Sequence, residues 1–185
     1  MPDYINTLPQ KSLTYCPFCG SDNTFFDEEG HFFKCRKCDF QLFINASAAV
    51  AVFIEDNNGK LLLTERSADP AKGKLDLPGG FVDVMETAEE AAIREIKEEL
   101  NLDISNLQYI TSHPNRYVYN GLLYYTLDLA YRCSVESFSV IQARDDIDSF
   151  HFLPTAEIEL SDIGLDSIRV LVKEYLQSVT SPNKA

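Results

Sequence analysis

Three glutamates, Glu95, Glu98 and Glu99, stand three and four residues apart in a stretch rich in helix formers. In a helix, positions i, i+3 and i+4 share a face, so the three carboxylates converge on one side. Like charges at this spacing repel. Glu98 and Glu99 also lie towards the C-terminal end, where the helix dipole disfavours anions. A hard divalent cation reverses both effects, because Mg²⁺ prefers carboxylate oxygen and keeps water positions free for a phosphate. The competing reading is a solvated acidic face, which is what most charge runs are.

A second set of residues points to a different metal. Cys16-Pro17-Phe18-Cys19 and Cys35-Arg36-Lys37-Cys38 are two CxxC pairs with fifteen residues between them. That is the pattern of a four-thiolate Zn²⁺ site, whose filled coordination shell makes it structural and not catalytic. Disulfides or a redox CxxC are the alternatives, and both suit a reducing compartment poorly. Gly20 fits the tight turn after the first pair, and Phe25, Phe26, Phe32 and Phe33 are expected to cover the site on a hairpin turning near Glu28–Gly30. Cys133 is left over and reads as a core residue.

The elements that must position these groups follow from local signals. Thr87 with Glu90 forms a capping box, and the helix it starts is expected to run to Leu100. Asn101 suits the left-handed C-terminal position. Ile93, Ile96 and Leu100 are expected to form a buried stripe opposite the acids, while Ala88, Ala91 and Ala92 continue the acid face, where a loop carrying Gly79 and Gly80 can pack closely. Glu86 falls near the same helix end.

Ala48–Glu55 and Lys60–Glu65 read as strands joined at Asn57-Asn58-Gly59. Further strands are expected at Leu75–Leu77, Leu107–Thr111, Leu122–Tyr131 and Phe150–Leu153, and a closing helix at Leu165–Val179. This is the pattern of an α/β sandwich around a mixed sheet. The expected organisation is an N-terminal arm at 1–13, a cysteine module at 14–45, a catalytic domain at 46–180 and a tail at 181–185.

With 185 residues, 45% of them hydrophobic, the chain can bury a substantial core. Its formal net charge of −13 opposes nonspecific binding of nucleic acid. A small anionic substrate is accommodated if bound metal or a local basic group reverses the field at the site. No run of 18 apolar residues and no secretory leader pattern is present, so no membrane partner is expected and the chain reads as cytoplasmic.

Gly80, then Glu86, then Arg94-Glu95-Ile96-Lys97-Glu98-Glu99-Leu100-Asn101-Leu102 resembles the Nudix box, the signature of Nudix hydrolases. One demanding position departs from the pattern: Asn101 stands where the family usually has glycine. The resemblance implies a Nudix α/β/α sandwich with a mixed sheet, preceded here by a small β zinc ribbon. It also implies Mg²⁺- or Mn²⁺-dependent cleavage of a nucleoside diphosphate linked to another group. Carried onto this chain, Glu95, Glu98 and Glu99 would be catalytic and metal-ligating, Glu86 and the Gly79 carbonyl would support the metal, and Arg94 would orient a carboxylate. Asp146, in an acidic turn with Asp145 and Asp148, is a candidate additional acid; a solvated turn is its alternative.

A zinc ribbon before such a domain resembles the NADH pyrophosphatase branch, in which homodimers are common. Ser112-His113-Pro114-Asn115-Arg116-Tyr117-Val118 matches that branch's post-box segment only at Ser112, Pro114 and the aromatic Tyr117. NADH, NAD, ADP-ribose and FAD therefore all remain candidate substrates. Arg116 and Tyr117, with Tyr119, Tyr124 and Tyr125, are candidates for phosphate contact and base stacking, with plain sheet packing as the alternative. A reading of another class is a ribbon that binds nucleic acid or protein beside an idle catalytic domain.

Overall fold

The computed structural model describes residues 4–180, so the expected tail at 181–185 and the first three residues of the arm lie outside the described residues. Contacts divide the chain into two compact units: the described residues of Met1–Ser47 with Arg116–Tyr125, and the described residues of Ala48–Asn115 with Thr126–Ala185.

In the first unit a short helix α1 (Pro9–Ser12) precedes three short strands, β1 (Thr24–Phe26), β2 (Phe32–Cys35) and β3 (Gln41–Phe43), paired antiparallel in the order β1-β2-β3. Alternation along β2 sends Phe33 and Cys35 inward. Cys16, Phe33 and Cys35 form the buried centre, with Leu13, Phe26 and Phe40 against it. Of the four phenylalanines expected over the cysteines, Phe26 and Phe33 are there; Phe25 and Phe32 contact each other instead, ring centres 6.4 Å apart. Adjacent strand residues face opposite ways, so a Phe-Phe pair cannot put both rings on one side.

The second unit is built on β4 (Ser47–Phe53), β5 (Leu61–Arg66), β6 (Leu75–Asp76), helix α2 (Ala88–Leu100), β7 (Ile104–Tyr119), β8 (Leu122–Val135), β9 (Ile147–Leu153) and helix α3 (Asp166–Thr180). Two three-stranded sheets have the orders β4-β8-β7 and β6-β5-β9. The β4–β5 turn is fastened by Asp56, whose carboxylate accepts from the N–H groups of Asn58 and Lys60.

Continuous apolar runs on β4 and β5 reflect burial on both faces. Val50, Val52, Ile54 and Leu62 pack with Ala91, Ala92, Ile96 and Leu100 of α2. Ala51, Phe53, Leu61 and Leu63 pack with Ile168, Leu171 and Val172 of α3. The result is the α/β/α sandwich with its mixed sheet between two helical layers. Among the described residues, no helix is long and apolar enough to cross a membrane.

Three local expectations need correction. Ile93 is 49% exposed, and Ala91 and Ala92 belong to the core instead of an acid face. Around a helical wheel, Glu99, Ala92 and Ile96 are neighbours, so the buried arc centres there and adjoins the acids instead of opposing them. The strand expected at Leu107–Thr111 is also far longer, running to Tyr119 and turning at Asn120-Gly121, both with positive φ. That Asn-Gly pair is a hairpin signal in its own right.

Because Ile96 is fully buried between α2 and the sheet, Ile96→Ala is expected to lower unfolding free energy by about 2–5 kcal/mol in urea titrations.

Candidate active site

Helix α2 begins as its sequence dictates. Thr87 Oγ1 accepts from the Glu90 N–H, the Glu90 carboxylate accepts from the Thr87 N–H, and the helix ends at Asn101 in the left-handed conformation, φ 57°. Asn101 Nδ2 then donates to the Val140 carbonyl. The Arg144 N–H bonds the Glu99 carbonyl, docking the loop before β9 onto the helix end.

Arg94 is the hub of the acids on this helix. Its guanidinium donates to Glu86 through Nε and Nη2, both at 2.9 Å. Nη1 donates to Glu95 at 2.7 Å and to Glu98 at 3.1 Å, and Nη2 also reaches the Phe81 carbonyl at 3.0 Å. Hydrogen bonds from Arg94, helped by the Asp83 N–H, hold the Glu86 carboxyl down at about 2.

Glu99 is placed differently. It is 4% exposed, and its carboxylate accepts from the Gly79 N–H at 2.9 Å. Burial pushes its carboxyl well above the usual range against that hydrogen bond, and the charges of Asp146, Glu95 and Asp76 add to the rise. Glu95 is raised too, first by burial, with Arg94 opposing and Glu98 and Asp146 adding. The loop before β9 therefore brings Asp146 into the electrostatic reach of both. Asp146 is itself held by its carbonyl, which accepts from the Ser67 N–H and hydroxyl.

The glycine loop fits around these groups. The Val50 N–H bonds the Gly80 carbonyl and the Val52 N–H bonds the Pro78 carbonyl, so the loop runs along β4. A Cβ on Gly79, at φ 143°, would stand 2.1 Å from the Val50 carbonyl oxygen; one on Gly80 would meet the Glu95 carboxylate at 2.5 Å. Just upstream, buried Asp76 pairs with Arg66 at 2.7 Å. Burial raises its carboxyl to about 6 in spite of that partner. This cross-strand pair carried no spacing signal in the sequence.

The donors here are hard carboxylate oxygens, crowded beyond what one guanidinium neutralises, which suits Mg²⁺ or Mn²⁺. In the other unit the cysteine sulfurs are 3.7 Å apart for Cys16–Cys38 and for Cys19–Cys35, and all four lie within 4.8 Å of one another. A tetrahedron with Zn–S bonds near ~2.3 Å has edges of about 3.8 Å, so the cage fits zinc. The Lys37 N–H also donates to Cys35 Sγ at 3.4 Å. Arg116 and Tyr117 lie in the β7–β8 hairpin tip, which belongs to the ribbon's unit, with Tyr117 stacked on Tyr119 at 6.3 Å. Grouping of this tip with the cysteine module was not anticipated from sequence; the Leu123 N–H bonds the Thr7 carbonyl there.

The NUDIX domain family matches residues 46–173. Over 79 residues the chain is 44% identical to an ADP-ribose pyrophosphatase of Methanocaldococcus jannaschii, covering 42% of this chain and 46% of that protein. It is 28% identical over 120 residues to the NAD-capped RNA hydrolase NudC of Vibrio atlanticus, 65% of this chain and 44% of that protein. The chain thus spans about half the length of the curated relatives it matches. A NUDIX hydrolase structure from Nitrosomonas europaea matches with TM-score 0.70 and 23% identity, over 93% of this chain and 95% of that one. The NUDIX domain of Shewanella oneidensis NrtR, complexed with ADP ribose, gives TM-score 0.59 and 20% identity, over 74% and 90% of the two chains. At these identities the structures establish the fold.

The two glycines are expected to separate fold from site. Gly79→Ala strains φ and collides with backbone, so thermal denaturation should register a large loss of stability. Gly80→Ala meets only the side-chain carboxylate of Glu95 and no backbone, so its melting temperature should fall far less than that of Gly79→Ala while metal-dependent turnover falls.

Proposed function

The chain belongs to the NUDIX family, and on that premise we propose that it is a metal-dependent hydrolase that cleaves the pyrophosphate bond of a nucleoside diphosphate joined to another group. The observation that carries this reading is the gathering of Glu86, Glu95 and Glu98 around Arg94, with Glu99 held against the Gly79-Gly80 loop. We assign the metal to Glu95, Glu98 and Glu99, supported by Glu86 and the Gly79 carbonyl. Bound Mg²⁺ or Mn²⁺ supplies Lewis-acid stabilisation of diphosphate charge and lowers the pKa of water.

The chain's own residues do the rest. Arg94 prevents the carboxylates from splaying apart, and the Gly79 N–H fixes which way Glu99 points. A raised carboxyl is suited to accept a proton from water, and Glu99 and Glu95 are the groups placed for it, with Asp146 beside them as the additional acid. The names of the relatives support ADP-ribose, NAD or an NAD cap as the conjugate. Arg116 and Tyr117 are assigned to phosphate contact and base stacking. The charge of −13 favours a small nucleotide over a nucleic-acid strand. Residues 14–45 are assigned as a structural zinc ribbon and 46–180 as the hydrolase domain, in a cytoplasmic protein.

Hydrolysis of NADH, NAD, ADP-ribose, FAD and an NAD-capped oligonucleotide should be followed chromatographically with Mg²⁺ or Mn²⁺. Glu98→Gln and Glu99→Gln are each expected to keep the circular dichroism spectrum and lose at least about 100-fold in turnover. Near-normal activity in both variants would refute the assignment. For the ribbon, elemental analysis of protein purified without chelator is expected to find about one zinc per chain; Cys35→Ser should abolish it, and zinc-free native protein would overturn this part.

A further inference from the structure

Asn101 is the one demanding position at which the chain departs from the Nudix-like pattern, and it ends α2 at φ 57°. Glycine adopts that backbone conformation with less strain, so what asparagine adds is its side chain. Both ends of the carboxamide are used: Nδ2 donates to the Val140 carbonyl at 3.0 Å, and Oδ1 accepts from Arg144 Nη1 at 3.3 Å. Val140 and Arg144 belong to the segment between β8 and β9. Backbone joins the same segment to the helix, the Gln142 N–H donating to the Leu100 carbonyl at 3.1 Å and the Arg144 N–H to the Glu99 carbonyl at 2.9 Å. Arg144 Nε and Nη2 donate to Gln142 Oε1, which keeps the guanidinium at the helix C-terminus, where a cation is favoured.

Asp146 follows Arg144 in the same segment, and its charge acts on both Glu95 and Glu99. A turn carrying Asp145, Asp146 and Asp148 is thereby brought to a helix that already bears an excess of acid, and Coulomb repulsion drives the two apart. Asn101 opposes that separation without adding charge. On the other side of the turn, the Ser67 N–H and hydroxyl hold the Asp146 carbonyl. We propose that Asn101 is a positioning residue whose side chain clamps the 140–144 segment to the end of α2 and so sets Asp146 beside the metal-binding acids. Its catalytic consequence rests on the hydrolase reading above; the clamp itself does not. Asn101 touches no reacting group in this role and acts through Asp146, so its loss should slow turnover and leave substrate affinity in place.

Asn101→Gly is the direct test, because glycine keeps the turn at φ 57° and deletes only the side-chain bonds to Val140 and Arg144. Hydrogen exchange at the Gln142 and Arg144 amides should be at least about tenfold faster in this variant, with the amides of α2 unchanged. In turnover with Mg²⁺, Asn101→Gly is expected to lose about tenfold in kcat with KM within about twofold, and Asp146→Asn at least as much. Because both substitutions act through one carboxylate, the double variant should be no slower than Asp146→Asn alone. Unchanged exchange at Gln142 and Arg144, a loss carried by KM alone, undiminished turnover in Asp146→Asn, or losses that multiply in the double variant would each overturn the proposal. An unmodified chain that hydrolyses none of the nucleotides sinks the hydrolase reading instead, and the exchange comparison still decides whether Asn101 holds the segment.

Discussion

Negative charge concentrated beside a single guanidinium is the constraint around which the NUDIX unit is arranged. Glu86, Glu95 and Glu98 all draw hydrogen bonds from Arg94, so their mutual repulsion is balanced locally by one cation. Glu99 accepts nothing from Arg94; it is drawn inward to the Gly79 N–H, and burial first, with the charges of Asp146, Glu95 and Asp76 adding, raises its carboxyl. A helix bearing these acids without Arg94 and without the loop would gain free energy by letting the side chains separate into water.

What also prevents that separation is the packing beside the acids. The two faces of β4 and β5 feed two helical layers, and burial of Ala92, Ile96 and Leu100 fixes the rotation of α2 about its axis. Glu99 lies on the same arc as those residues, so it is carried inward with them. Hydrogen bonding of the 78–80 segment along β4 then brings glycine backbone to the place where the carboxylates arrive. At Gly79 the Val50 carbonyl leaves no room for a side chain, and at Gly80 the Glu95 carboxylate occupies the space a side chain would take.

The ribbon depends on a different source of order. Its strands are three or four residues long and its buried centre is little more than Cys16, Phe33 and Cys35. Modules of that size rarely fold on apolar burial alone, which gives a metal cage its structural role. The 116–125 hairpin tip joins this unit although it is far away in the chain, so the long β7–β8 ribbon of sheet contributes residues to both units.

Short-range rules applied to residue order account for much of this. The capping box at Thr87, the left-handed Asn101, the Asn57-Asn58-Gly59 turn and the paired CxxC motifs each depend on neighbours within a few positions, and each could be read directly. The Nudix-like spacing from Gly80 to Glu99 located the loop and the helix for the same reason. Burial of Glu99, exposure of Ile93, the Arg66–Asp76 pair, the reach of Asp146 and the grouping of the hairpin tip with the cysteines were set by packing between distant segments. Periodicity says that a helix has an apolar arc, but its exact centre depends on which sheet residues meet it, and those meet only once the chain has folded.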